Sequence, residues 1–224
     1  RKYYLLLAIS LTLSVIGKAQ LGGLGGPLLY LNFGEAKTDD LTISGPPIQM
    51  GYTPLNYTDN HCPQKGSYTV LSGIDVGCKD STLIPLLADN TPFPDANGYM
   101  MVLHDTAYST SKTIFQYAAN ACYDVDYQFS VAIINLQKPN SSSCHRFSSF
   151  TLQVEDGAGN ILGSTSTGDM QFAVYNQGYH FNKYFVNFRL TAANTLPVTV
   201  KIIDEAKAIS ACSNFVAIDD IKLA

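Results

Sequence analysis

An all-β fold, a jelly-roll β-sandwich of two antiparallel sheets, is what this chain predicts, and three observations carry that expectation. Ten stretches rich in Val, Ile, Phe, Tyr and Thr are separated by clusters of Gly, Pro, Asn, Asp and Ser. Several of them alternate with period two: Tyr127, Phe129, Val131 and Ile133 share a face opposite Gln128, Ser130 and Ala132, while Tyr184, Val186, Phe188 and Leu190 oppose Asn187 and Arg189. The one helix-like stretch, 81–89, is short and broken by Pro85. About ten strands at such close spacing pack as a sandwich, and a jelly roll closes that number naturally.

Taken in order, the chain begins with an export signal. Arg1 and Lys2 precede an apolar run over 5–16, and Gly17-Lys18-Ala19 offers small residues at the positions a signal peptidase reads, which places cleavage after Ala19. The other readings are a membrane anchor and a buried strand. The run is short for a membrane span, and the Gly-rich lead-in 20–27 that follows is no stop-transfer pattern. The chain opens on Arg1 with no initiator methionine, so the natural chain is expected to begin earlier, and an end at Ala224 directly after a strand allows it to continue further. One domain is expected over 28–224, with strands at 28–33, 68–74, 99–104, 113–118, 125–136, 147–155, 169–175, 182–192, 197–203 and 215–223. The region 45–67 reads as a decorated loop, and Asp156-Gly157 within 155–160 as a hairpin tip whose Asp-Gly step takes the positive φ angles of a tight turn.

Charge narrows the partners. The chain has 14 basic and 18 acidic residues, and loss of Arg1, Lys2 and Lys18 with the signal leaves 11 against 18, near −7. Nucleic acid and anionic membranes both require a basic footprint, so neither is expected, and no membrane insertion follows signal cleavage. Cys62, Cys78, Cys122, Cys144 and Cys212 point in an exported chain to disulfides, with Cys62 and Cys78 as the local pair; the odd count leaves one thiol free or paired outside the chain.

The closing segment FVAIDDIKLA carries adjacent carboxylates inside a strand. Under strict alternation Asp219 and Asp220 point opposite ways, so one of them enters apolar surroundings and needs a cation, an arginine or backbone N–H donors.

Asp89-Asn90-Thr91 followed by Gly98-Tyr99-Met100-Met101-Val102 resembles the DxT…GYMxV signature of MAM-type extracellular domains, and Ala217-Ile218-Asp219-Asp220-Ile221 resembles their closing AxDDI strand. With Asn32-Phe33-Gly34, the same motifs resemble jelly-roll domains of secreted Bacteroidetes surface proteins associated with gliding motility or type IX secretion. The resemblance implies a non-catalytic module for cell adhesion or carbohydrate binding, secreted or on the cell surface. It also implies a structural Ca2+ held by Asp219 or Asp220 with Glu35 or a nearby backbone carbonyl; the other possibility is an inward Asp satisfied by backbone N–H groups alone.

Two further acidic features have plain readings. Asp95-Ala96-Asn97-Gly98 resembles part of a calcium loop but lacks the closing Glu, and reads as an Asn-Gly turn. Asp80-Ser81-Thr82 and Asp105-Thr106-Ala107 match a short O-glycosylation pattern of the same bacteria, at a length that chance supplies.

A sugar site needs rings to cover the apolar face of a pyranose and polar groups to replace its hydrogen bonds to water. Tyr175, Asn176, Gln177, Tyr179 and His180 supply that mixture in one loop, with Tyr108 and Tyr117 from neighbouring strands, although the chain has no Trp. No GxSxG, HExxH, P-loop or Rossmann pattern is present, so an enzyme is not expected. The acid pairs Asp124/Asp126 and Asp204/Glu205 read as solvated turns rather than as a glycosidase dyad. A structural spacer or assembly domain with no ligand of its own is the alternative.

Overall fold

A computed structural model describes residues 26–34, 44–74, 83, 98–105, 110–138, 148–171, 180–205 and 214–224. The elements are β1 (Leu29–Leu31), β2 (Asn56–Tyr57), β3 (Ser67–Leu71), β4 (Met100–Asp105), β5 (Lys112–Ala119), β6 (Asp126–Asn135), β7 (Phe150–Glu155), β8 (Ile161–Ser166), β9 (Asn182–Arg189), β10 (Val198–Asp204) and β11 (Asn214–Leu223). They form two sheets. One has seven strands in the order β2-β3-β4-β11-β6-β9, with β1 also on β11; the other has four, β5-β10-β7-β8. All described pairings are antiparallel except β2 with β3.

The alternating strands put their apolar faces into one layer between the sheets. Phe129, Val131 and Ile133 of β6 meet Phe115 of β5, Phe150, Leu152 and Val154 of β7, and Val200 and Ile202 of β10, all without measurable exposure. Burying each such side chain contributes about 1.5–3 kcal/mol, so this layer is the main source of stability. A second, smaller cluster lies on the opposite face of the seven-stranded sheet. There Leu71, Met100, Val102, Ala132, Ile134, Leu136, Phe215 and Ala217 are covered by Ile74, Leu83 and Phe181, with half-buried Cys62 packed against them. Cys62 is in a disulfide whose partner falls outside the described residues, and Cys122 is a free, exposed thiol.

The closing strand departs from strict alternation. Val216 and Ile218 face the main core, as alternation allows, but so do Ile221 and Leu223, which belong to the other phase. Along β6, Asp219 stands opposite Ala132 and Lys222 opposite Ser130, so β11 carries one extra residue there. Asp220, at φ +47°, has no partner in the register of any neighbouring strand. This bulge sits where the neighbour of β11 changes from β4, paired with residues 214–218, to β1, paired with 221–223. Aspartate tolerates the left-handed region better than most residues, which suits it to the position.

Other departures have local causes. β8 is missing from the expected strands because ILGSTS is polar and largely exposed, as befits an edge strand. Its Gly163 allows close approach to β9, where a Cβ would stand 2.8 Å from the Val186 side chain and 3.2 Å from the Asn187 carbonyl. The hairpin joining β7 to β8 is present, but the positive φ falls on Gly159 (+85°), not on the Asp156-Gly157 step. Asp156 instead organises the turn, accepting bonds from the N–H groups of Ala158 (3.0 Å) and Asn160 (2.9 Å) and from the Asn160 side chain (3.1 Å). Those donors, the Asn160 side chain foremost, lower its pKa. The expected signal 1–19, the helix-like stretch apart from Leu83, and most of the expected strand at 169–175 lie outside the described residues.

Candidate ligand-binding site

Of the residues expected to bind sugar, Tyr108, Tyr175, Asn176, Gln177 and Tyr179 lie outside the described residues. His180 is exposed at the entrance to β9, whereas Tyr117 is on β5 of the other sheet. Tyr117 donates its hydroxyl to the Leu28 carbonyl (3.2 Å) and meets Tyr52 edge-on at 5.2 Å. It contributes to a shallow groove of about 440 Å³ with Met50, Tyr52, Gln116 and Thr199.

The expected calcium site is overturned. Among the described residues no three His, Cys, Asp or Glu side chains converge on a position for a metal ion. Ca2+ requires about six to eight oxygen ligands. The bulge spends the two carboxylates on other donors: Asp219, 1 % exposed, accepts the N–H of Asp220 through Oδ1 (2.7 Å), and Asp220 Oδ1 accepts the Tyr30 hydroxyl (3.0 Å). Glu35, the third expected ligand, lies outside the described residues.

What the bulge builds instead is a depression on the outer face of the seven-stranded sheet. A cavity of about 220 Å³ is lined by Tyr30, Ser130, Val131, Ala132, Lys183, Asp220 and Lys222. Register explains the assembly. Tyr30 of β1 stands opposite Lys222 of β11, Lys222 opposite Ser130 of β6, and Ser130 opposite Phe185 of β9, giving one row across four strands. The next row sets Asp219 against Ala132 and Ala132 against Lys183. Ser130 is buried at the floor, while Tyr30 and Phe185 remain 44 % and 50 % exposed at the two ends. The two rings are three strand spacings apart, on the order of 14 Å. Beyond them the face continues as a polar border. Gln128 donates to Asn187 (3.0 Å), and Arg189 holds both carboxylate oxygens of Asp126 (3.2 and 3.1 Å) and the Asp124 carbonyl (3.2 Å).

None of Tyr30, Ser130, Lys183, Phe185 and Lys222 was singled out from the sequence. Phe185 did leave a signal: it is an aromatic residue on the polar phase of a strand whose other phase already supplies the core.

The acid pairs are otherwise employed. Asp126 is bound by Arg189, and Glu205 accepts the hydroxyls of Ser149 (2.5 Å), Thr151 and Ser166 (2.9 Å) on the outer face of the four-stranded sheet. Burial opposes ionisation of Glu205, but the three hydroxyl donors together outweigh it and lower its pKa. Among the described residues no helix is long and apolar enough to cross a membrane.

No protein-family model matches the chain, and no curated protein sequence matches it. Solved structures do share its architecture. The Stig cyclase Fisc from Fischerella sp. TAU, in complex with (3Z)-3-(1-methyl-2-pyrrolidinylidene)-3H-indole, superposes with a TM-score of 0.53 at 12 % identity, covering 87 % of this chain and 96 % of the cyclase. An apo cyclase from Fischerella sp. gives 0.51 at 14 % identity over 87 % and 95 %. At such identities the likeness establishes a common β-sandwich fold and nothing about chemistry, because one fold hosts many functions.

Proposed function

We propose that this chain is a non-catalytic, secreted or cell-surface domain for adhesion or carbohydrate binding within a larger surface protein, and that its ligand lies on the open half of the seven-stranded sheet. One observation carries the reading: two half-exposed aromatic rings, Tyr30 and Phe185, flank a depression floored by Ser130 and edged by Lys183, Asp220 and Lys222. Exposed rings beside convergent polar groups match what a sugar requires, an apolar surface for the ring and partners for its hydroxyls. The resemblance to MAM-type and Bacteroidetes surface domains supports the same class. The strand order supports a jelly-roll closure as part of the reading: from β4 onward the chain changes sheet at every connection except the β7–β8 hairpin.

Glycan-array binding by the folded domain tests this. Tyr30→Ala with Phe185→Ala should abolish the signal while leaving the fold intact by circular dichroism. A folded domain that binds no glycan would favour a structural spacer. Turnover of a polysaccharide, abolished by a single Asp or Glu substitution, would show an enzyme.

A further inference from the structure

We infer that the depression at the β11 bulge selects an acidic sugar of the uronic acid class, and this rests on the proposed glycan-binding role. The charge balance of the site runs against that of the protein. The chain has a formal net charge of −4, yet among the described residues the cavity is lined by Lys183 and Lys222 against one carboxylate, Asp220. Neither lysine forms an ion pair among the described residues, whereas Lys201 and Arg189 do. Two lysines that line one cavity and form no ion pair among the described residues attract an anion. Their strands stand two spacings apart, on the order of 10 Å, which flexible lysine stems bridge toward a shared group.

Asp220 narrows the class further. Its Oδ1 is taken by the Tyr30 hydroxyl, and Oδ2 accepts no hydrogen bond among the described residues. A free carboxylate oxygen beside two cations is unfavourable for a phosphate dianion, whose charge it repels, but it accepts bonds from hydroxyls next to a singly charged acid. Tyr30 supplies the exposed ring on which the sugar lies. The size agrees: about 220 Å³ is below the roughly 300 Å³ at which pockets begin to enclose drug-sized ligands, so the cavity takes one sugar ring.

Calorimetric titration of the whole chain with an oligogalacturonate, its methyl ester, the neutral galactose oligomer and inorganic phosphate tests the assignment. The acid should bind at least about tenfold more tightly than the ester or the neutral oligomer, the factor expected from a charge-assisted hydrogen bond. Lys183→Ala and Lys222→Ala should each erase most of that preference, and added salt should weaken binding of the acid alone. Both lysine positions are at the surface, and thermal melts will verify the fold of the variants. Equal affinity for acid and ester, unaffected by the lysine changes, overturns the inference and leaves the glycan-binding role standing. Phosphate binding as tight as that of the uronate also overturns it, in favour of a simple anion site. Failure to bind any glycan, neutral or acidic, removes the proposed function and the inference together.

Discussion

The outer face of the seven-stranded sheet has two halves that share strands but differ in fate. On one, Met100, Val102, Ala132, Ile134, Leu136 and Ala217 lie under Ile74, Leu83 and Phe181, with Met100 and Leu136 reaching 0 % exposure. On the other, Tyr30, Lys183, Phe185, Asn187 and Lys222 come from β1, β9 and the end of β11 and have no such cover among the described residues. The border passes through the Asp219-Asp220 bulge. A sheet face is therefore not wet or dry as a whole: what decides is whether distant loops reach it. The uncovered half keeps two large aromatic rings in water, which core packing does not require.

The largest expected effect separates the halves by stability. Leu136→Ala should cost about 2–5 kcal/mol in urea unfolding, the range for a truncated core leucine. Phe185→Ala should stay within about 0.5 kcal/mol, as for a surface change. Comparable losses at the two positions would mean that something covers Phe185, and the contrast between the halves would fail.

The border itself comes next. Asp220→Val puts a β-branched residue at φ +47° and should cost about 1–2 kcal/mol, while Asp220→Gly should be neutral or slightly stabilising. If valine is tolerated as well as glycine, the left-handed bulge does not hold in solution, and the phase reversal that separates the halves goes with it.

A third test asks whether the polar face of the four-stranded sheet contributes stability that the open half lacks. The folded pKa of Glu205 is lowered, so its contribution is fully present above its unfolded value and is lost as pH falls through the folded one. Urea midpoints between pH 7 and pH 3 should therefore fall more steeply for the native protein than for Glu205→Gln. Parallel curves would mean that the three hydroxyls do not favour the ionised carboxylate. The smallest effect belongs to the border of the open half: Arg189→Ala breaks an exposed ion pair with Asp126 and should cost about 0–1 kcal/mol, decreasing with salt. A larger loss would mark that edge as structural rather than solvated.

Much of the architecture was legible in the sequence. Period two in β6 and β9 assigned Phe129, Val131, Val186 and Phe188 to the core and Gln128, Asn187 and Arg189 to the outer face, as found. β8 was not legible, because an edge strand of small polar residues lacks the apolar alternation that marks a half-buried one. The site was legible only in part. Adjacent aspartates in a strand announce that a carboxylate must be satisfied, but calcium was the wrong solution: a backbone N–H and a tyrosine hydroxyl, brought close by the bulge, serve instead. Tyr30 and Phe185 were missed because each is one aromatic residue in a strand-rich chain, and only pairing across β11 and β6 sets them in one row.

By itself, the sequence determined the strand-rich composition, the faces of the regular strands and the need to accommodate two carboxylates near the end. These are local properties, set by which residues follow one another. Tertiary structure alone decided where alternation breaks and which half of the outer face stays open. Both depend on residues far apart in the chain: β4 and β1 meet end to end along β11, and Ile74, Leu83 and Phe181 cover one half and not the other.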